Sequence, residues 1–400
     1  MDILAGDIPS SLLWDEAGPT SDTTFAKLGV ESVTVAGRRF DVDGSPLGLL
    51  HLSATGETRV AHDVDTREAY AVKLVDEASL GPDHAPLSDE DVTALAHPCL
   101  VTVIGSMAVS VSSGKATARV YVTELCAGGD LLDTLIEHED GMPETDACLI
   151  VRRVTSALSY LHARGFVHTR LRPSKLLLDG SGRVKLSVAG CVRGAGDRSA
   201  RVEVLRGLES AGAFAPPEQR AVLAVAGGVG ADSSAIAAAA DAADARAADA
   251  AAAARAAGSL AGASAVVTTS LPDAGAVWAV GVLAFVLTHG ALPYEESAAE
   301  ALQLSPQASE SLTAFVRGAL ASESWLRPSL PALLSKGWLE QCGSAGAGGV
   351  ASESRHAPIS RIGIFATPRG PSSPVDEPAN VALSQPAMGP GARWAAAGSA

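Results

Sequence analysis

The stretch of sequence that decides the fold is YLHARGFVHTRLRPSKLLLD, residues 160–179. Its first residues close a helical pattern in which apolar side chains from Leu149 to Leu161 recur every three or four positions and share one face. The chain before this helix follows a different pattern, with shorter apolar runs. Residues 160–179 therefore lie within the second of two differently built regions.

The first region is predicted to be a small sheet with one helix. Apolar and β-branched runs of strand length follow one another at Leu49–Leu52, Tyr70–Val75, Val101–Ile104 and Val120–Thr123. One helical pattern, Asp89–Leu95, interrupts them. After the pair Gly128 and Gly129 the pattern is mostly helical. We therefore expect a β-rich lobe over residues 43–125 and a larger helical lobe over residues 126–340.

Three segments fall outside this two-lobed pattern. Residues 1–42 mix Gly, Pro, Ser, Thr and Asp and are predicted to be a partly ordered extension. Residues 221–270 contain the alanine-rich run Ala235–Ala257, for which we expect an exposed, marginal helix that projects outward and is dispensable for folding. Residues 343–400, rich in Gly, Ala, Ser and Pro, are predicted to be a disordered tail.

Residues 160–179 resemble the catalytic loop of the eukaryotic protein kinase domain. The resemblance implies an α+β, bilobal fold, with a small β-rich lobe and a larger helical lobe. His168 matches a structural histidine of the family. The chemical positions differ: Arg170 replaces the aspartate that accepts the substrate's proton, and Lys175 replaces an asparagine that binds magnesium. Thr169 replaces the arginine that pairs with the activation-loop phosphate.

A second motif, VKLSVAG at residues 184–190, resembles the family's K-L-x-D-F-G strand. Val188 stands where the family has its magnesium-binding aspartate, Ala189 replaces the phenylalanine, and Gly190 is retained. Valine offers no oxygen to a hard cation. The resemblance, which covers roughly residues 47–340, therefore implies a domain with no intact catalytic residue and no metal site.

The resemblance also marks the positions that would contact a nucleotide. Lys73 matches the lysine that holds the α- and β-phosphates. Gly56 is the third glycine of the phosphate loop, whereas His51 and Ser53 occupy the first two glycine positions. The remaining candidates are the two residues that would enclose the adenine ring, the gatekeeper and the hinge: Ala71, Leu177, Thr123, Glu124 and Cys126.

Framework positions are better preserved than chemical ones. Glu218 ends an A-P-E-like motif and Arg327 lies in its distant partner, WLRP, so we expect a buried ion pair between them. Ala276, by contrast, replaces an aspartate that braces the catalytic loop in the family. The glutamate that should pair with the lysine of the nucleotide site falls on Ser88, with Glu90 as a substitute two residues later.

Composition and charge exclude several classes of protein. The sequence has 30 Lys and Arg against 45 Asp and Glu, a net charge of −15, which argues against nucleic acid or an anionic membrane as a partner. The five cysteines form no CxxC pair, which predicts reduced thiols. The N-terminus lacks a signal-peptide pattern, and the apolar stretch Ala274–Thr288 is too short to span a bilayer. We therefore expect a cytoplasmic protein.

Three functions remain open. The favoured one is a pseudokinase: a kinase-like domain without catalysis that acts as an interaction or allosteric module in signalling. Its partner would be a protein, and an active kinase is one candidate. The alternatives are a residually active, ATP-dependent Ser/Thr protein kinase and a structural scaffold that binds no nucleotide.

Two states of the former active site are also open. Lys73, Arg170 and Lys175 would repel one another in a partly dry site, and an anion would relieve that repulsion. No cofactor is required, but an open cleft is expected to bind ATP, another phosphate-bearing ligand or an acidic partner segment without magnesium. In the alternative state the cleft is closed, with Val188 and Ala189 packed inward and Arg170 turned to solvent.

Overall fold

The computed structural model of the chain describes residues 24–53, 56–77, 87–110, 117–136, 138, 140–196, 198–206, 214–228, 230–257, 271–294, 302–335 and 337–344. The predicted tail lies outside these residues from residue 345 onward. Residues 1–23 of the predicted extension and residues 258–270 of the predicted insertion also lie outside them.

An antiparallel sheet forms the N-terminal lobe. Its strands are β1 (Ser32–Val35), β2 (Arg38–Val42), β3 (Leu49–Ser53), β4 (Gly56–Asp63), β5 (Ala69–Asp76), β6 (Val103–Ser110) and β7 (Thr117–Glu124). They are ordered β1-β2-β4-β5-β7-β6, with β3 paired to β4. Val72 and Leu74 of β5 lie opposite Val122 and Val120 of β7 in one buried cluster, because alternate residues of a strand face the same side.

The N-terminal lobe begins earlier than the sequence predicted. Helix α1 (Phe25–Leu28) and the β1–β2 hairpin belong to it, because Phe25 and Phe40 are buried in the same cluster as the sheet residues. The backbone N–H of Phe25 donates to Oε2 of Glu57 at 2.8 Å. The predicted boundary at residue 43 is therefore wrong. The apolar residues that cover this face of the sheet are scattered among polar ones, which concealed their role.

A short helix, α2 (Asp89–Thr93), packs beside the sheet within the predicted helical stretch. The side chain of Ser88 caps it by accepting the N–H of Asp91 at 3.0 Å. Oδ1 of Asp89 accepts hydrogen bonds from Ser106 on β6 and Arg119 on β7. One carboxylate thus holds the helix to two strands.

The C-terminal lobe is mostly helical, as predicted. Its helices are α3 (Leu131–Ile136), α4 (Glu144–Ala163), α5 (Arg198–Arg206), α6 (Pro217–Ala226), α7 (Ser233–Ala256), α8 (Leu271–His289), α9 (Glu310–Ala319), α10 (Leu330–Ser335) and α11 (Trp338–Ser344). Its short strands are β8 (Phe166–His168), β9 (Leu176–Leu178), β10 (Val184–Leu186) and β11 (Val192–Gly194). The predicted bilobal α+β fold is confirmed.

The core of this lobe lies around α8, which packs against α4. Leu158 and Leu161 of α4 and Trp278 of α8 are almost completely buried there. Short 3-10 helices at Pro46–Gly48, Pro173–Lys175 and Ser324–Leu326 complete the described elements. None of the helices in the described ranges is both long and apolar enough to cross a bilayer.

The alanine-rich helix does not project outward as predicted. Helix α7 buries Ile236, Ala237 and Ala240 against Val202 of α5 and Val222 of α6. The sequence suggested an exposed helix because alanine adds little apolar area. The small side chain, however, also allows helices to approach closely. The predicted start of the insertion at residue 221 falls inside α6.

The cysteine prediction also needs correction. Cys148 on α4 and Cys342 on α11 form a disulfide, with Cα atoms 6.4 Å apart, whereas Cys99, Cys126 and Cys191 are free. The prediction of reduced thiols is therefore wrong for two of the five. The paired residues are 194 positions apart in sequence, so no local spacing motif reports their proximity.

Candidate functional site

His168 ties the catalytic-loop segment to the strand that follows it. Its Nε2 lies 3.0 Å from the carbonyl oxygen of Ser187, and the backbone N–H of Arg170 reaches its Nδ1 at 3.4 Å. Burial is the main cause that lowers the pKa of His168 to about 4, and nearby positive charges add to it. The imidazole is therefore neutral at pH 7 and holds the loop in place, the structural role that the resemblance implies.

The three cations predicted at the former active site act on the same buried groups. Lys73, Arg170 and Lys175 each lower the pKa of both His168 and Cys191 through their positive charge. Burial raises the pKa of the Cys191 thiol, but the positive charges outweigh it and the net pKa is lowered. All three predicted cations are therefore close enough to His168 and Cys191 to affect their pKa values, and their role in a binding site stays a prediction.

Residues 188–190, where the family resemblance places a magnesium-binding aspartate, are packed inward. Val188 and Ala189 are 1% and 2% exposed. Nζ of Lys73 donates to the carbonyl oxygen of Ala189 at 2.8 Å. Gly190 has φ +74° and lies against Val75 of β5, whose Cγ2 would be 3.3 Å from an added Cβ. This arrangement matches the inward packing of the closed-cleft alternative.

Within the described ranges no group of three or more His, Cys, Asp or Glu side chains is placed to hold a metal ion. Glu90, the proposed partner of Lys73, is exposed, and no ion pair joins these two described residues. The predicted substitution by Glu90 is therefore wrong, because α2 directs Asp89 rather than Glu90 at the sheet.

The hinge uses several of its polar groups internally. Thr123 is buried, and its hydroxyl donates to the carbonyl oxygen of Glu124 at 3.2 Å. The Glu124 carboxylate accepts from Nζ of Lys185 at 2.7 Å and from the backbone N–H of Thr102 at 2.7 Å. Burial, and then the charge of Glu124, raise the pKa of Cys126 to about 12, so its thiol stays protonated.

The predicted phosphate-loop glycine has a packing role. An added Cβ at Gly56 would lie 1.9 Å from the carbonyl oxygen of Leu74, and φ there is +151°. Only glycine fits such a close approach of two strands. Of the two predicted adenine-facing residues, Ala71 is buried on β5 and Leu177 is partly exposed on β9. Their contact with adenine stays a prediction.

The predicted framework ion pair is present. Arg327 donates to both carboxylate oxygens of Glu218, at 2.6 and 2.8 Å, and its side chain has no exposed surface. Its guanidinium also lies 4.9 Å from the ring centre of Trp278. This pair connects the start of α6 to the segment before α10.

The structure reveals a second buried ion pair that sequence reasoning missed. Nε of Arg193 on β11 donates to Oε2 of Glu203 on α5 at 2.8 Å, and both residues are at most 5% exposed. The hydroxyl of Thr169 donates to the other oxygen of Glu203 at 3.3 Å. One sequence signal could have indicated this buried pair. In both Val192–Gly194 and Val202–Val204 a single charged residue lies between uncharged neighbours.

Known proteins match the same part of the chain. A family model described as the protein kinase domain matches residues 53–218, which include Lys73, Arg170, Lys175 and Val188. The chain carries a protein kinase domain. The match ends at Glu218, the A-P-E-like glutamate, immediately before the stretch in which the alanine-rich helix lies.

Similar curated proteins are kinases of several organisms. CBL-interacting protein kinase 4 of rice is 36% identical over 138 residues, which cover 33% of this chain and 29% of the relative. Serine/threonine-protein kinase grp of Drosophila melanogaster is 34% identical over 140 residues, 34% of this chain and 26% of the relative. Maternal embryonic leucine zipper kinase of Xenopus tropicalis is 31% identical over 130 residues, which cover 32% of this chain and 19% of the relative. The matched part of the chain thus spans less than a third of the length of each of these three relatives.

Proposed function

We propose that this kinase domain is a pseudokinase, which acts by binding a protein partner in signalling rather than by transferring phosphate. One observation carries the proposal: the positions of the proton acceptor and of both metal ligands hold Arg170, Lys175 and Val188. Val188 is 1% exposed and packs in the apolar core. None of the three side chains carries an oxygen atom that could accept the substrate's proton or ligate magnesium.

Phosphoryl transfer depends on metal ions and on placed charges, so these replacements act on the reaction itself. Loss of one stabilising group typically lowers the rate by about 10²–10³. Groups that act as a unit do not contribute additively, so the combined loss is not a simple product. Even one of these replacements would lower the rate severely.

The direct test is a phosphotransfer assay on the full chain. Purified protein is incubated with labelled ATP, magnesium or manganese, and a generic Ser/Thr substrate, beside an active Ser/Thr kinase as a positive control. We expect incorporation no greater than with the Lys73→Ala variant. Magnesium-dependent autophosphorylation that disappears in Lys73→Ala would overturn the proposal in favour of a residually active Ser/Thr kinase, the function that the names of the relatives suggest.

Nucleotide binding is a separate part of the proposal. Lys73, which matches the phosphate-binding lysine of the family, is still present, whereas the positions of both metal ligands hold Lys175 and Val188. We therefore propose that the cleft binds ATP without a divalent metal. The bond from Lys73 to the Ala189 carbonyl and the bond from Thr123 to the Glu124 carbonyl both compete with a nucleotide. We therefore infer that the resting cleft is closed and that a ligand has to displace these contacts.

Thermal unfolding with ATP separates these states. A ligand at 100 times its dissociation constant stabilises a fold by about 2.7 kcal/mol. A shift in melting temperature with ATP in excess chelator, lost in Lys73→Ala, would support a metal-free site. A shift that appears only with magnesium would contradict it, and no shift at millimolar ATP would favour the scaffold without nucleotide. A cytoplasmic location and a kinase partner are part of the same proposal, and affinity capture from cytosol tests them.

A further inference from the structure

One covalent bond joins the last described helix to the core of its lobe. Cys342 of α11 is bonded to Cys148 of α4, and the two residues are 194 positions apart in sequence. Cys148 has no exposed surface, whereas Cys342 is partly exposed and packs against the core from outside. A thiol that arrives from solvent therefore meets the sulfur of Cys342 and not that of Cys148.

The start of α11 is held by contacts that do not involve sulfur. Trp338 and Leu339 are 2% and 0% exposed. Nε1 of Trp338 donates to Oε1 of Glu144 on α4 at 2.8 Å. Nη1 of Arg152, also on α4, donates to the carbonyl oxygen of Leu339 at 2.6 Å. Cys342 lies one helical turn beyond Trp338. The disulfide therefore fixes the end of a helix whose first turn is already docked.

The packing around the disulfide also suits two free thiols. Sγ of Cys148 lies 3.3 Å from the carbonyl oxygen of Trp338, and Sγ of Cys342 lies 3.6 Å from the same oxygen. In the disulfide neither sulfur has a proton to donate. After reduction each S–H group has this acceptor within reach, and a thiol packs in an apolar site as a small hydrophobic group. Neither redox state therefore buries a group that is costly to desolvate, which is what a reversible pair requires.

We propose that Cys148 and Cys342 form a reversible redox switch, whose disulfide fixes the end of α11 to α4 and whose reduction by a dithiol releases it. The end of a helix opens more readily than a docked interior when no such bond holds it. Reduction should therefore loosen the last turn of α11, while its first turn and the rest of the lobe keep their places. The inference goes beyond the proposed function and does not depend on it.

The reaction is thiol–disulfide exchange with a small dithiol such as dithiothreitol. One thiolate of the reductant attacks Sγ of Cys342 and forms a mixed disulfide. The electron pair of the broken S–S bond goes to Sγ of Cys148, which takes up a proton. The second thiolate of the reductant then attacks its own sulfur in the mixed disulfide, and Cys342 leaves as a thiolate that is protonated. The protein disulfide is thus reduced to two thiols, and the dithiol is oxidised to a cyclic disulfide. A dissolved disulfide closes the pair by the reverse exchange and is itself reduced to thiols.

A redox titration of the full chain tests the proposal. The protein is incubated in buffers that range from glutathione disulfide alone to dithiothreitol alone, free thiols are trapped by alkylation, and the peptides that contain residues 148 and 342 are identified by mass spectrometry. Far-UV circular dichroism and hydrogen exchange of the backbone are measured in the same buffers. We expect the pair to open while the chain stays folded, and exchange in α11 to become at least tenfold faster, with exchange in α8 unchanged. A pair that opens only when the chain unfolds, a pair that fails to close with glutathione disulfide, or equal exchange in α11 in both states would overturn the proposal.

Matched variants separate the switch from a general effect of the reductant. Cys342→Ser should give fast exchange in α11 without reductant and no further change with it. Cys99→Ala, at a free and buried cysteine, should keep the full response.

A second pair of variants tests which sulfur the reductant attacks. In Cys148→Ser, the thiol of Cys342 should form a mixed disulfide with glutathione disulfide at least tenfold faster than the thiol of Cys148 does in Cys342→Ser. Equal rates in these two variants, or a response to dithiothreitol that persists in Cys342→Ser, would overturn the proposal. The readout involves no ATP, so the pseudokinase assignment stands or falls separately.

Discussion

Arg327 and Arg170 lie in the same lobe and have opposite surroundings. The side chain of Arg327 is fully buried, bonds to both oxygens of Glu218, and also donates to the carbonyl oxygens of Ala274 and Ala321 at 3.0 and 2.9 Å. Arg170 lines a cavity, and its buried Nε has no partner among the described residues.

This difference shows that charged side chains in this lobe fall into two groups, those that form structural ion pairs and those that stand at the positions of the family's catalytic groups. Carboxylates remain where they hold helices and strands together, as in Glu218–Arg327 and Glu203–Arg193. Apolar or basic side chains stand where the family would use carboxylates for proton and metal chemistry. These two framework pairs include none of the positions at which the family resemblance implies catalytic groups, so they do not depend on the residues found there.

The largest expected loss of stability follows from removing Arg327, the arginine that has a carboxylate partner. Arg327→Ala leaves the Glu218 carboxylate without its buried partner, which typically costs about 3–5 kcal/mol of unfolding free energy. Arg170→Ala removes a cation that no described carboxylate balances, and we expect a change of less than about 1 kcal/mol. Urea denaturation measures both, with the exposed Arg317→Ala as a control. A larger loss for Arg170→Ala than for Arg327→Ala would reverse the comparison.

The ion pair Arg193–Glu203 tests whether a buried arginine–carboxylate pair also stabilises the packing of α5. Glu203→Gln keeps the shape of the side chain but removes the negative charge that the Arg193 guanidinium contacts at 2.8 Å, so we expect a loss of about 3 kcal/mol in unfolding free energy. Glu340→Gln, at an exposed position, should change it by less than about 0.5 kcal/mol. If both variants unfold at the same urea concentration, the Arg193–Glu203 pair does not hold the fold.

A pH titration sharpens the comparison at the catalytic loop. The pKa of His168 is about 4 in the folded chain, below its ordinary value of 6.5, so the unfolded chain binds more protons between these values. Stability is therefore complete above pH 6.5 and declines as the pH falls toward 4. From pH 7 to pH 5 the loss is about 2 kcal/mol.

The control for this titration is His168→Gln, whose unfolding free energy should depend less on pH over the same range. His97 and His289 also have pKa values lowered by burial and contribute a decline of the same sign in both proteins. The informative quantity is therefore the difference between the two curves. Parallel curves for the two proteins would show that His168 is not a buried neutral side chain.

The smallest expected effect concerns an ion pair at the surface. Arg201 on α5 bonds to Asp241 at 2.7 Å and to Asp244 on α7, and the Asp241 side chain is 57% exposed. Arg201 is 21% exposed and Asp244 27%, so both pairs keep contact with solvent. Ion pairs that solvent reaches contribute about 0.2–1 kcal/mol, and we expect Arg201→Ala to cost about 1 kcal/mol. Added salt should reduce the difference from the wild type. A loss as large as that of Glu203→Gln would mean that this pair, rather than apolar packing, docks α7.

Local motifs made much of the fold and of the site predictable. Residues 160–179 identify the catalytic-loop segment, and the strand-like run Tyr70–Val75 identifies a strand that includes Lys73. The substitutions at Arg170, Lys175 and Val188 can be read directly from these motifs. Such motifs are informative because residues within one turn, or along one strand, constrain each other whatever the rest of the chain does.

The sequence by itself determined the family resemblance, the two-lobed order of elements and the replacement of the residues that this resemblance implies are catalytic. Only the tertiary structure decided that α7 packs on α5 and α6, that Cys148 pairs with Cys342, and that Arg193 meets Glu203. The physical reason is that these contacts join residues far apart in the sequence, whereas a sequence pattern reports only local context. Alanine has the same helix propensity on an exposed face and on a buried one, and a lone charge has the same sequence context with or without a partner. Which of these occurs depends on the close packing of segments far apart in the chain.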